Sequence, residues 1–360
     1  MRALIMAGGT GGHVFPGLAV ARVLRARHID VTWLGTRRGI EARLVPAADP
    51  AIRIEWINIR GVRGTGLVNW LLLPFTLLYA MWQAMGAIRR VRPDVVLSFG
   101  GFVAGPGGLV AWLLRRPLII HEQNAIPGMT NRWLALVARR VLTGFPSAFG
   151  SLTAAQHVGN PVRAEVRSLP PPEQRMAGRA SRLRVLVVGG SLGARALNET
   201  VPRALARLDA ADRPEVWHQC GRDQQTPTVA AYAGLPGARV AEFIDDMAQA
   251  YGWADLVICR AGAMTVAELA AAGIGAILVP YPHAVDDHQT ANARYLSERG
   301  AATLLPQSEL TAERLAQLLQ DLVGRRDVLL AMATAARACA VPDAAEAVVE
   351  TCLTEVGVAR

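Results

Sequence analysis

Short apolar runs that end in glycine, each followed by a stretch of helical period, recur along the chain. Ala3 to Ala7 reads as a buried strand running into Gly8-Gly9-Thr10-Gly11-Gly12-His13. A helix pattern follows over 16–27, with Leu18, Val20, Ala21, Val23 and Leu24 apolar and Pro16 suited to a first turn. The next strand is expected over 31–34, so the chain opens as strand, glycine loop, helix, strand. The second half repeats this. Arg184-Val185-Leu186-Val187-Val188 has the apolar, β-branched character of a parallel strand covered on both faces. Gly189-Gly190-Ser191-Leu192-Gly193-Ala194 and a helix pattern over 196–208 follow it. Between the two halves, Val95 to Phe99 enters a third glycine-rich turn, Gly100 to Gly108. Further strands are expected over 118–120, 216–219, 256–259 and 276–279. This alternation predicts an α/β chain of two Rossmann-like domains facing a cleft. The boundary falls near Asn160-Pro161-Val162-Arg163, which gives domains over 1–162 and 163–340 and a last helical segment over 341–360.

One segment breaks the pattern. Residues 67–88 are almost wholly apolar, with Trp70, Phe75, Tyr79 and Trp82 among them and Arg63, Arg89, Arg90 and Arg92 flanking. The length suffices to cross a bilayer, but Pro74 interrupts the run and Asn69, Thr76 and Gln83 dilute it. A single span here would also put two parts of one domain on opposite sides. Three readings stand: a span, an ordinary buried helix, and a helix lying in the headgroup region. Tryptophans with flanking arginines favour the last. Trp112, beside Arg115-Arg116, is assigned to the same surface.

Composition narrows the function classes. At 360 residues the chain has room for about two domains, and 52% hydrophobic residues exclude a disordered one. Lys+Arg 38 against Asp+Glu 29 leaves a net charge of +9, which favours anionic partners such as phosphorylated metabolites or an anionic membrane. Only 6% of residues are aromatic and no basic run interleaves with them, so nucleic acid is not expected. The four cysteines, at 220, 259, 339 and 352, form no CxxC pair, which fits a reducing compartment. The apolar start is too short for a signal-peptide core.

The glycine loops do not carry the dinucleotide fingerprint. GxGxxG would need glycine at 14, where Val14 stands, and at 191, where Ser191 stands. Arg37-Arg38 after the second strand keeps an NADP-dependent oxidoreductase as the alternative. Glycine loops at helix N-termini still bind anions, through outward N–H groups and the helix dipole. The plainer alternative is that the glycines serve close packing alone. His13 stands at the end of the first loop, where an imidazole can accept a proton from a hydroxyl, or simply cap a helix. Thr265 and Glu268 have capping-box spacing; equally, Glu268 could hold the two hydroxyls of a ribose. Asp245-Asp246 reads as a helix N-cap. Asp286-Asp287-His288, with no third strong ligand in view, reads as a loop and cap rather than a metal site.

Taken in order, these landmarks resemble one family. They are Gly8-Gly9-Thr10-Gly11-Gly12-His13-Val14-Phe15-Pro16-Gly17, Gly100-Gly101-Phe102, Gly105-Pro106-Gly107-Gly108, His121-Glu122-Gln123-Asn124, Gly159-Asn160-Pro161-Val162-Arg163, Val188-Gly189-Gly190-Ser191, Phe243-Ile244-Asp245-Asp246-Met247 and the loop Ala263 to Glu268. The chain resembles the bacterial cell-wall glycosyltransferases that add N-acetylglucosamine to an undecaprenyl-diphosphate-linked muramyl-peptide, turning lipid I into lipid II. The resemblance implies the glycosyltransferase B fold, with the acceptor in the first half, the donor in the second, and a final helix returning to the first. It implies an inverting reaction at the acceptor's 4-hydroxyl, with no cofactor and no bound metal. His13 would be the base. Thr10, Gly11 and Gly12 would line the sugar and diphosphate cleft, and Asn124 would contact the transferred sugar. Arg163 and Ser191 would hold the diphosphate of UDP-N-acetylglucosamine. Ile244 and Met264, within the segment Ala263-Met264-Thr265-Val266-Ala267-Glu268, would frame the uracil, Glu268 the ribose, and Gln289 the donor sugar. Trp70, Phe75, Trp82 and Trp112 would meet the anionic cytoplasmic face of the inner membrane. Other cell-wall synthesis proteins are further partners the resemblance leaves room for.

Overall fold

The structure, a computed structural model, describes residues 1–59, 67–146, 148–150, 154–179, 182–190 and 193–357, with the backbone alone for 67–71. Two compact units divide the chain. One comprises Met1–Arg163 and Asp343–Arg360, the other Ala164–Pro342. The first boundary lies one residue after the expected position and the second two residues after it.

The first unit is built on a parallel sheet. Among the described residues its strands are β1 (Arg2–Ala7), β2 (Asp30–Gly35), β3 (Arg53–Trp56), β4 (Val95–Gly100), β5 (Leu118–Glu122), β6 (Arg140–Thr143) and β7 (Ala155–His157), in the order β3-β2-β1-β4-β5-β6-β7. β1 pairs with β2 through Leu4↔Thr32 and with β4 through Leu4↔Val96. Both faces of β1 are covered, which is why its apolar run is continuous. Ala3, Ile5 and Ala7 enter one core with Val14, Val20, Ala21 and Leu24. Leu4 and Met6 enter the other with Ala84, Ala87 and Ile88. The helix Ala344–Val356 completes the first core with Ala345, Val348, Val349 and Cys352.

The second unit repeats the plan. Its strands are β8 (Arg184–Val188), β9 (Glu215–Gln219), β10 (Ala238–Ala241), β11 (Leu256–Cys259), β12 (Gly275–Leu278) and β13 (Ala302–Leu304), ordered β10-β9-β8-β11-β12-β13. Every pairing is parallel. In each sheet the chain leaves the first strand in one direction and later returns to its other side. The reversal lies between β1 and β4 in one unit and between β8 and β11 in the other. Outside the carboxyl ends of such strands, loops diverge and leave a crevice.

Two expectations about helices change. The first helix is Gly11–Ala26, not 16–27, so Pro16 lies in its interior. Thr10 stands at the N-cap position and its carbonyl accepts from Val14 N–H. The glycine loop therefore flows directly into the helix, and Pro16 forgoes one intrahelical bond. The helix Ala263–Ala272 begins after Gly262, with no side-chain cap, so Thr265 and Glu268 do not form a capping box. Asp246 does cap its helix, accepting from Gln249 N–H at 2.8 Å.

The apolar segment forms the helix Leu67–Val91. Ala80, Ala84, Ala87 and Ile88 face the core, at the spacing of one helical stripe. Phe75, Leu78, Tyr79 and Trp82 form the opposite stripe and lie open, Phe75 70% and Trp82 69% exposed. Three alanines and Ile88 face inward and the large aromatic residues outward, so the ordinary buried helix is not what forms. No helix among the described residues is long and apolar enough to cross a membrane. The Trp70 side chain lies outside the described residues.

Candidate active site

In the first unit the reversal point brings two glycine loops together. Gly8-Gly9 follows β1 and Gly100-Gly101 closes β4. Gly100 and Gly101 have φ of +97° and +85°, a conformation glycine adopts at little cost. Space requires glycine there as well. A Cβ on Gly101 would overlap the carbonyl of Gly8, and one on Gly100 would stand 3.1 Å from His13 Nε2. The His13 ring thus rests over Gly100. Its Nδ1 lies 3.1 Å from Thr10 Oγ1. Gly11, Gly12 and His13 occupy the first helical turn, where the His13 N–H donates to the Thr10 carbonyl at 3.2 Å and the end of the helix dipole favours negative charge. The arrangement places a half-buried imidazole and an anion-seeking helix end side by side.

The neighbouring strand end supplies Asn124. Glu122, at the end of β5, accepts from Asn124 N–H at 2.8 Å and from its side-chain amide at 3.1 Å through Oε1. Its Oε2 accepts from Gly128 N–H at 3.1 Å and Asn131 Nδ2 at 2.9 Å. One buried carboxylate thereby fixes the whole turn from Asn124 to the helix Met129–Leu134. His121 beside it is fully buried, with Nε2 2.9 Å from the Gly159 carbonyl and Nδ1 3.1 Å from Gln123 Nε2. Burial pushes its pKa down to about 4, so it is a neutral structural brace between β5 and the loop 159–163. Arg163 ends that loop within the first unit, its guanidinium 5.6 Å from the centre of the Phe15 ring.

In the second unit the same position holds two helix N-termini. Gly189-Gly190 follows β8, and a Cβ on Gly189 would approach Ala194 N to 2.7 Å. The helix Arg195–Ala206 starts there. Ser191 lies outside the described residues. A buried chain supports the loop: Asn198 Nδ2 donates to the Cys220 carbonyl at 3.0 Å, and its Oδ1 lies 3.0 Å from His218 Nε2. His218 Nδ1 is 2.8 Å from the Tyr232 hydroxyl. Burial lowers the His218 pKa to about 4.

After β11, Arg260-Ala261-Gly262 leads into the helix Ala263–Ala272. Ala263, Val266 and Glu268 are buried, whereas Met264, Thr265 and Ala267 are half-buried. Ile244 is buried between β10 and the helix Met247–Trp253. Tyr251 from that helix donates to Glu268 Oε2 at 3.1 Å. The pattern of the sequence held no hint of this support. Gln289 lies on the helix His288–Ser297, its Oε1 accepting from Tyr281 N–H at 2.9 Å. Arg260 anchors the same turn, donating to the carbonyls of Val279 and Pro280 and to Gln307 Oε1. Asp287 accepts from the Thr290 hydroxyl at 2.7 Å, a local helix-start contact.

The exposed face of the helix Leu67–Val91 does not stand alone. The helix Ala104–Leu113 touches it and carries Trp112, 47% exposed. The helix Met129–Leu134 touches that one in turn and adds Met129 and Trp133, the latter 68% exposed, with Leu136 just beyond. Sequence reasoning missed this third helix, because its apolar residues are interleaved with Asn131 and Arg132. The three helices thus carry several large apolar side chains exposed to solvent.

Comparison with known proteins follows the same division. Residues 3–143 match the glycosyltransferase family 28 N-terminal domain and 184–348 the family 28 C-terminal domain. A UDP-N-acetylglucosamine–N-acetylmuramyl-(pentapeptide) pyrophosphoryl-undecaprenol N-acetylglucosamine transferase of Marinobacter nauticus is 58% identical over 354 residues, 98% of this chain and 97% of that protein. The transferase of the same name from Nitrosococcus oceani is 57% identical, covering 98% of each. Among solved structures, Acinetobacter baumannii MurG matches with a TM-score of 0.85 at 44% identity, over 98% of this chain and 99% of that one. The calicheamicin glycosyltransferase CalG4, at 17% identity and a TM-score of 0.68, shares the fold. The two-domain α/β expectation agrees with these matches, and nothing in them supports the oxidoreductase. Of the pair Arg37-Arg38 that kept it open, Arg37 lies 5.3 Å from the Trp56 ring centre.

Proposed function

The chain belongs to glycosyltransferase family 28, among the N-acetylglucosamine transferases just described, and from that premise we propose how its residues share the work. It transfers N-acetylglucosamine from UDP-N-acetylglucosamine to the muramyl-pentapeptide of undecaprenyl-diphosphate-linked lipid I, making lipid II for peptidoglycan. The observation that carries the division of labour is His13 standing over Gly100 with Nδ1 against Thr10. With Nδ1–H donating to Thr10 Oγ1, Nε2 holds the lone pair. It takes the proton of the acceptor's 4-hydroxyl as that oxygen bonds to the anomeric carbon. The carbon–phosphate oxygen bond breaks with inversion, and its electron pair leaves on UDP. A base of this kind is worth about 10²–10⁴-fold in rate.

The second unit holds the donor. The N-terminus of the helix Ala263–Ala272 favours the diphosphate, Ile244 and Met264 frame the uracil, Glu268 accepts from the ribose hydroxyls, and Gln289 donates to the sugar. Arg163 and Ser191 add positive charge and a hydroxyl to the diphosphate. Gly11, Gly12 and Asn124 line the sugar side. No cofactor enters this chemistry. The open faces of Phe75, Trp82 and Trp112, with a net charge of +9, suit a peripheral enzyme on the anionic cytoplasmic leaflet, where a lipid-linked acceptor is reached without a membrane span. Transfer of labelled N-acetylglucosamine to a lipid-linked muramyl-peptide is the direct test. Failure to label it while UDP-N-acetylglucosamine binds would reject the acceptor assignment.

A further inference from the structure

Glu41 is a fully buried carboxylate, 0% exposed, and it does not belong to the nucleotide or acceptor motifs. It opens the short helix Glu41–Ala48. Its Oε1 accepts from Thr36 N–H and from the Thr36 hydroxyl, both at 2.9 Å. Its Oε2 accepts from Gly9 N–H at 3.2 Å. Three glycines make room for it. A Cβ on Gly8 or on Gly35 would come within 2.8 Å of its side chain, and one on Gly39 would overlap it. Burying a carboxylate is costly unless its partners are well placed, and an apolar residue would fill the same space without that cost. Here three donors and three glycines converge on one carboxylate, and one of the glycines, Gly8, and one of the donors, Gly9, belong to the loop after β1.

We propose that Glu41 is a positioning residue that sets the catalytic loop Gly8–His13 for transfer. The loop is gripped on two sides. Glu41 holds Gly9 by its N–H, and Gly101 closes on the Gly8 carbonyl from the side of β4. The next residue, Thr10, stands at the helix N-cap and its hydroxyl meets His13 Nδ1. Glu41 thus acts on His13 through Gly9 and Thr10, and never touches substrate. A base displaced by about 1 Å can lose 10²-fold in rate. This inference rests on the reading of His13 as the base.

The test is Glu41→Gln. Glutamine keeps the shape but turns an N–H₂ toward N–H donors, so the grip on Gly9 or Thr36 fails. Turnover is expected to fall 10- to 100-fold, while the dissociation constant for UDP, most of whose proposed contacts lie in the second unit and none on Glu41, stays within twofold. In a His13→Ala background the same substitution should cost less than threefold, because the residue it positions is gone. Thr36→Val, which removes one donor to the carboxylate, should lower turnover three- to tenfold with the same dependence on His13, and serves if Glu41→Gln does not fold. Unchanged turnover, or an equal loss with and without His13, overturns the proposal. If His13→Ala itself keeps its turnover, the base assignment fails instead, and the two failures are told apart.

Discussion

The phenol of Tyr251 donates a 3.1 Å hydrogen bond to Oε2 of Glu268, joining the helices Met247–Trp253 and Ala263–Ala272. In the proposed role of Glu268, accepting from two ribose hydroxyls, a carboxylate gains from having its plane fixed beforehand. Tyr251→Phe keeps the packing and removes the donor. The Michaelis constant for UDP-N-acetylglucosamine is expected to rise roughly five- to thirtyfold, the equivalent of about 1–2 kcal/mol for one hydrogen bond to a charged group. Turnover should be unchanged. With a 2′-deoxyribose donor the variant and the parent should differ much less. Equal effects on both donors would mean that Tyr251 only packs.

His13→Ala should lower turnover by about 10²–10⁴-fold and leave binding of UDP to the second unit intact. Steady-state kinetics with a lipid-linked acceptor, alongside thermal stabilisation by UDP, separates the two effects. A near-parental rate would return His13 to a helix-terminal role.

Phe75, Trp82 and Trp112 lie outward on two touching helices. Replacing all three by serine should weaken partitioning onto vesicles containing anionic lipid by about 10²-fold or more, since each large side chain contributes on the order of 1 kcal/mol or more when it leaves water. Little stability should be lost, because the core-facing residues of the first helix are Ala80, Ala84, Ala87 and Ile88. Co-sedimentation with such vesicles decides it. Unchanged partitioning in a folded variant removes the interfacial role.

Acid should destabilise both units. His121 and His218 are held neutral by burial, each with a pKa near 4 against 6.5 for a free imidazole. The unfolded chain therefore binds more protons than the folded one between those values. Stability is full above about pH 6.5 and is lost as pH falls toward 4, by on the order of 3 kcal/mol per histidine. Urea unfolding followed at pH 7, 5.5 and 4.5 should show midpoints falling in that order. A flat series would place both imidazoles in more open surroundings.

The strands legible beforehand are those in the middle of each sheet. β1, β4, β8 and β11 are covered on both faces and read as apolar runs. The four edge strands, β3, β7, β10 and β13, and the interior strand β6 escaped notice: Arg53, Glu55, Gln156, His157 and Arg239 break the run in β3, β7 and β10, and β6 and β13 are only four and three residues long. The same holds for the site. Glycine loops and His13 carry local spacing that points to anions and proton transfer. Glu41 and Tyr251 carry none, since each acts on a residue that only folding brings near. Pro16 misled for a related reason: its preference for a first turn is real, but Thr10 at the N-cap and the packing of Val14 start the helix earlier.

The helix Ala344–Val356 lies in the first unit, yet all of Ala164–Pro342 comes before it in the chain. On the ribosome, then, the unit begun first is the one finished last. Until Ala345, Val348, Val349 and Cys352 emerge, the apolar face of the helix Gly11–Ala26 has no lid, and Arg27, Arg139 and Arg140 wait for Glu350 and Glu355. A chain stopped at residue 342 would carry an intact second unit and an open core in the first. It would be a substrate for chaperones and proteases rather than a half-active enzyme.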